Sequence, residues 1–163
     1  MLYQISCYES VGPIKFGMTK GAVEEILGEP QSTSTDGNGR STYYYSHLIV
    51  RFAEDSSGVD EVSFIEDGGV ELECDGIRLA WDGSFILEMC ALDKDARESC
   101  GFIILPRFGL LLADFFDADA EPAISVENRD GLESLMGSPL LNRKQLQKAA
   151  KKFGAIYQAR MAS

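Results

Sequence analysis

A chain of 163 residues with 45% apolar and 25% charged content is long enough for one domain with a real core and too apolar to stay disordered. Its net charge of −11 repels phosphate backbones, so direct binding of DNA or RNA is not expected. No apolar run approaches the roughly 18 residues that span a bilayer, so no membrane partner is expected either.

The charge is unevenly spread. All 26 acidic residues lie at or before Glu133, where nine basic residues oppose them, and the remaining six basic residues run from Arg143 to Arg160. Residues 1–133 therefore carry −17 and the tail carries +6. A body this acidic attracts a basic partner.

The first segment, MLYQISCYESVGP, has no basic stretch followed by an apolar one, so a secretory signal is not expected and a cytoplasmic protein is. Cys7, Cys74, Cys90 and Cys100 form no close-spaced pair, and His47 is the single histidine. Four reduced thiols in or near a core are expected, with no metal and no cofactor.

The run GPIKFGMTKGAVEEILGEP, 12–30, is the most organised local segment. Ile14, Phe16 and Met18 alternate as in a short strand. Thr19 stands at a helix N-cap, where a hydroxyl accepts from a free backbone N–H. Ala22, Val23, Ile26 and Leu27 form an apolar stripe, Gly28 suits a left-handed C-terminal cap and Pro30 blocks continuation. Next come two strand-like runs in TYYYSHLIVRF around Ser46-His47, then VDEVSFIE, then VELECDG (70–76) as the strand that closes the first half.

The pattern then recurs 63 residues on, in GIRLAWDGSFILEMCALD. Ile77, Leu79 and Trp81 stand for Ile14, Phe16 and Met18; Asp82 replaces Thr19 as N-cap; Phe85, Ile86, Met89 and Cys90 repeat the stripe. FIILPRFGLLLADFF and AISVEN supply matching strands, with Val62 and Phe64 aligned to Ile124 and Val126 at an offset of 62. The expected fold is α+β: repeat one at 1–75, repeat two at 76–130 and a C-terminal helical segment at 131–163, within a single domain.

The run G-M-T-x-x-x-V-x-x-x-L-G-x-P, carried by Gly17, Met18, Thr19, Val23, Leu27, Gly28 and Pro30, resembles the signature of a small α/β module. That module recurs in β-lactamase inhibitory proteins, in outer-membrane assembly lipoproteins and in many bacterial proteins of unknown role. The inhibitory proteins carry it twice, so the resemblance, over about residues 10–128, implies one extended sheet with helices on one face. The second copy keeps the pattern but lacks the Gly-Met-Thr and the Leu-Gly-x-Pro stop.

Strand alternation indicates which side chains share a face. Leu48, Val50, Phe52, Val62, Phe64, Val70, Leu72 and Cys74 point inward. Arg51, Glu61, Glu71, Glu73 and Asp75 point outward, joined by either Tyr43 and Tyr45 or by Tyr44. Tyrosine beside carboxylates suits a basic protein surface. In the second half FIIL and LLL are continuous apolar runs, which need cover on both sides. The tail has Leu146, Ala149, Ala150, Phe153, Ile156 and Tyr157 at helical spacing, an amphipathic helix expected to cover that outer face.

Chemistry is sparse. In DFFDADAE (114–121), Asp117, Asp119 and Glu121 alternate as in a calcium loop, but the glycine at the sixth position is replaced by Pro122. A polar hairpin turn is expected there. His47 is the only histidine that could serve a nucleophile, and no catalytic residues are expected. The reading is a non-catalytic, cytoplasmic binding module, an immunity or inhibitor protein that occludes a basic bacterial toxin such as a nuclease through Tyr43, Tyr45, Arg51, Glu61, Glu71, Glu73 and Asp75. The alternative is a small-molecule binder or assembly subunit using a crevice of Trp81, Phe85 and the tyrosines.

Overall fold

The computed structural model describes residues 1–55, 57–117 and 119–162, with only the backbone described at 67 and 156–161. Among these residues no helix is long and apolar enough to cross a membrane.

The chain opens with β1 (Leu2–Ser6), β2 (Ser10–Val11) and β3 (Ile14–Lys15), then α1 (Lys20–Leu27). The Thr19 side chain accepts from the Ala22 backbone N–H at 3.2 Å, and Gly28 closes the helix with φ 82°. The N-cap thus acts as its residue type dictates, while Gly28 combines its positive φ with an extended ψ of −173°, a glycine conformation other than the expected left-handed cap. Four antiparallel strands follow: β4 (Ser32–Thr35), β5 (Ser41–Tyr44), β6 (Ile49–Phe52) and β7 (Val59–Ile65). A 3-10 turn, Glu66–Gly68, then leads to the hairpin of β8 (Glu71–Cys74) and β9 (Ile77–Arg78). Next come α2 (Ile86–Leu92), β10 (Arg97–Ser99), β11 (Phe102–Leu105), β12 (Leu110–Ala113) and β13 (Ala123–Glu127). The chain ends with α3 (Arg129–Glu133) and α4 (Arg143–Ala162). The fold is α+β, and the order of hairpin, helix and four strands runs twice.

The strands form two sheets, which corrects the expectation of one. The large sheet has the order β10-β11-β12-β13-β7-β6-β5-β4. Its centre is the antiparallel pairing of β7 with β13, where Val62 faces Val126, Phe64 faces Ile124 and the hydroxyls of Ser63 and Ser125 meet at 2.8 Å. The small sheet has the order β3-β2-β1-β8-β9. Strand β8 is expected in the first-half sheet. It pairs instead in parallel with β1, Tyr3 beside Leu72 and Ile5 beside Cys74. The physical reason is that β13 occupies the free edge of β7, so the next apolar strand must find another partner.

The core lies between the inner face of the large sheet and a second layer of α1, the small sheet and α2. Val23 comes from α1, Tyr3, Ile5 and Leu72 from the small sheet, and Ile86, Met89 and Cys90 from α2; all are buried. They meet Val50, Phe52, Val62, Leu110 and Val126 of the large sheet. Tyr3 and Phe64 pack with ring centroids 5.6 Å apart.

Two further expectations change. Asp82 does not cap α2: its Oδ1 accepts from the Ser84 N–H at 2.9 Å, closing a local turn, and the helix starts after Phe85. Helix α4 does not cover the outer face of β11 and β12. It lies against α2, where Arg143 donates to the carbonyls of Cys90 and Asp93 at the C-terminal end of that helix. Leu146 and Phe153 are its buried anchors, with Phe153 edge-on to Phe116 at 5.8 Å; the side chains of Ile156 and Tyr157 lie outside the described residues.

Candidate functional site

The residues expected to form one binding face fall in three places. Tyr43 faces the core, edge-on to Phe52 at 5.0 Å, and is only 8% exposed. Tyr45 lies on the same side and donates to the Gly28 carbonyl at 3.0 Å; burial, then the Glu24 charge, pushes its hydroxyl up to about 12. Tyr44 points the other way, its hydroxyl 3.2 Å from Ser34 Oγ. Of the two alternatives it is therefore Tyr44 that shares a sheet face with Arg51 and Glu61, while Tyr43 and Tyr45 do not join the acidic residues. Alternation identifies the face of a residue but not what lies above it.

Arg51 and Glu61 occupy the opposite face of the large sheet, in a largely buried ionic cluster. In β6 and β7, Arg51 pairs with Glu61 and Phe52 with Val59, which leaves Asp60 as an extra residue. This bulge sets Asp60 and Glu61 side by side. Arg40 Nη2 reaches Asp60 Oδ1 at 2.7 Å and Glu61 Oε2 at 3.1 Å. Arg51 Nη1 donates to Glu61 Oε1, which also accepts from Ser63 Oγ at 2.7 Å. Glu127 of β13 stands directly opposite Glu61 and is 6% exposed. Burial, then the neighbouring Glu61 charge, pushes its carboxyl up to about 8. Glu61 is thus a structural ion and not a surface contact.

Glu71, Glu73 and Asp75 do reach the surface, on the small sheet. Val70, Leu72 and Cys74 point beneath them into the core. The β8–β9 turn takes φ 51° at Asp75 and 78° at Gly76, the left-handed pair a two-residue hairpin needs. It brings Arg78 across from Glu73. Arg78 Nη1 lies 3.3 Å from Glu71 Oε2, and its Nε 3.9 Å from Glu73 Oε2.

Beside this hairpin a groove of about 300 Å³ opens between the 3-10 turn and the start of the second helix-bearing segment. Glu66, Glu71 and Asp82 give it carboxylates and Arg78 one cation; Leu72, Leu79 and Trp81 give it apolar walls. Trp81 is held by stacking on Phe115, centroids 5.9 Å apart and planes 4° apart, with Phe85 edge-on to the same ring at 5.5 Å. The wall is preformed, so little side-chain freedom is lost when something docks.

No known protein family, curated protein or solved structure matches the chain. The groove must therefore be read from its own chemistry. Carboxylates beside an aromatic wall accept a Lys or Arg side chain: the apolar walls take the stem and the carboxylates take the head.

Sequence reasoning missed Glu66, Arg78 and Asp82. Arg78 was readable, since a two-residue turn after Cys74 sets it opposite Glu73. Glu66 depends on the crossing from one sheet to the other, which no local pattern shows.

Of the residues of the alternative crevice, Trp81 and Phe85 pack on Phe115 while Tyr43 packs on Phe52. A wider cavity of about 730 Å³ lies between β11, the 114–117 loop and α4, lined in part by Phe102, Phe116, Asp114 and Asp117. Asp117 Oδ1 accepts from the Asp119 N–H at 2.9 Å, a local turn within the segment joining β12 to β13. His47 meets the Tyr3 hydroxyl at 3.2 Å through Nε2.

Proposed function

We propose that this chain is a non-catalytic protein-binding module for a basic partner, acting as an immunity or inhibitor protein against a basic bacterial toxin such as a nuclease. The observation that carries the reading is the groove in which Glu66, Glu71 and Asp82 surround the fixed Trp81 wall. The −17 charge of residues 1–133 supports it, since such a field speeds encounter with a positively charged cleft. The contact surface differs from the one read off the sequence: it keeps Glu71, Glu73 and Asp75, drops Tyr43, Tyr45, Arg51 and Glu61, and gains Glu66, Trp81 and Asp82. An inhibitor of this kind would act in the cytoplasm, where a nuclease would meet its substrate.

The test uses a double variant, Glu71→Lys with Asp82→Asn. The asparagine keeps the acceptor that closes the Ser84 turn. Wild type and variant are compared as baits in a lysate of the source organism, with elution by increasing salt. The expected result is a basic protein held by wild type and released by salt, bound at least about tenfold more weakly by the variant, mainly through a slower on-rate. Equal retention of the same protein by both would overturn the reading.

A further inference from the structure

Cys7 and Cys74 are 67 residues apart in sequence and adjacent in space. The parallel pairing of β1 with β8 sets Ile5 beside Cys74. The chain turns after Ser6 and carries the Cys7 sulfur to 3.7 Å from the Cys74 sulfur. Asp75 follows in the β8–β9 turn at φ 51°. One of its carboxylate oxygens and both sulfurs all lie within 4.8 Å of one another. Cys74 is fully buried, Cys7 half-buried and Asp75 exposed. The cluster is thus anchored in the core and open to solvent on one side.

The two thiols are in hydrogen-bond contact, and the same spacing suits a shared metal ion. Zinc binds thiolate sulfur at about 2.3 Å in tetrahedral geometry, which puts two sulfurs on one ion about 3.8 Å apart. The observed 3.7 Å is that edge within a tenth of an ångström. Two thiolates also select a soft or borderline ion over magnesium or calcium, which prefer all-oxygen shells. The carboxylate is the third donor, and solvent takes the fourth position.

We propose that Cys7, Cys74 and Asp75 form a zinc-binding site with one coordination position open to water. Binding releases the thiol protons and ties the turn after β1 to the hairpin that carries Glu71 and Arg78. No spacing in the sequence points to it, because Cys7 follows β1 while Cys74 and Asp75 end β8, and only the parallel pairing of those strands joins them.

The test uses the full chain, reduced and stripped with a chelator, with cobalt(II) as optical probe and zinc as competitor. Wild type is expected to bind one cobalt per chain, with the visible bands of a tetrahedral site and a thiolate charge-transfer band in the near ultraviolet. Zinc should displace the cobalt and raise the thermal midpoint. Cys7→Ser, at a half-exposed position, should weaken zinc binding by about a hundredfold and remove the midpoint shift. Asp75→Asn, which tolerates the left-handed backbone, should weaken it by about tenfold and leave the charge-transfer band in place. Cys100→Ser, at the exposed thiol, should match wild type. Three results would overturn the proposal: no stoichiometric cobalt spectrum, equal zinc affinity in Cys7→Ser, or recovery of Cys7 and Cys74 as a disulfide that excludes metal after reduction and reoxidation in air.

Discussion

Glu127→Gln is expected to stabilise the protein at about pH 9 and to leave its stability almost unchanged at about pH 5. The cluster on the outer face of the large sheet places three carboxylates, Asp60, Glu61 and Glu127, beside two guanidinium groups, Arg40 and Arg51. With all three ionised the cluster carries an excess negative charge in a largely buried site. Holding Glu127 protonated removes that excess, and its carboxyl rises from 4.5 to about 8 through burial and then the Glu61 charge. Burial also raises Asp60, against the lowering effect of Arg40. A folded-state value above the unfolded one gives stability that is full below pH 4.5 and lost as pH climbs through 8. Each unit corresponds to about 1.4 kcal/mol, so the loss is on the order of 3 kcal/mol once shared among coupled groups. Glutamine keeps the shape without the ionisation. Urea unfolding of both proteins across this range gives diverging curves if Glu127 titrates as described; parallel curves would show it ionised throughout. Glu61→Gln is the contrast: it strips Arg51 and Arg40 of a shared carboxylate and should cost about 3 kcal/mol at about pH 5, and less at about pH 9, where it also removes the charge that opposes ionisation of Glu127.

The two glutamates also show how far the sequence could be read. Alternation along β7 put Val62 and Phe64 inward and Glu61 outward, and all three do lie on those faces. It could not show that Arg40, from the loop before β5, and Glu127, from the far half of the chain, would lie over Glu61. Helix α1 was legible because its signals are local: a hydroxyl cap, a stripe and a positive-φ glycine within ten residues. The strands β5, β6, β7, β11, β12 and β13 were legible because they alternate or run apolar. The strands β4 and β10 were not, since they are short and polar, and β1, though Tyr3 and Ile5 alternate inward, takes its place from its parallel partner β8. Asp82 was misread because an aspartate that closes a turn and one that caps a helix use the same oxygen. The Cys7–Cys74 pairing and the groove beside Trp81 both depend on the small sheet. Its parallel contact between β1 and β8 spans most of the first half and leaves no periodic trace.

Gly58→Ala should be strongly damaging, and Gly21→Ala should be beneficial. A Cβ at Gly58 would stand 2.6 Å from the Gly17 carbonyl oxygen and 2.7 Å from its Cα and carbonyl carbon. Those atoms are backbone, so no side-chain rotation relieves the clash. They are also pinned: Gly17 N–H donates to the Val59 carbonyl at 2.8 Å, and Val59 N–H to the Met18 carbonyl at 2.9 Å. Relief requires breaking the pair of bonds that holds the entry to α1 on the start of β7. A loss of about 3–4 kcal/mol is expected, at the upper end for one residue. At Gly21, inside α1, an added Cβ meets no atom within 4 Å. Alanine there narrows the unfolded chain and suits the helix, for a gain of about 0.5–1 kcal/mol. Gly17→Ala separates space from conformation: φ is 90° with open surroundings, so its cost of about 1–2 kcal/mol is backbone strain alone. Denaturant midpoints of the three variants should rank Gly21→Ala above wild type, Gly17→Ala below it and Gly58→Ala lowest. If Gly58→Ala and Gly17→Ala lost the same amount, the close approach of the two backbones would not be what fixes α1 to the sheet.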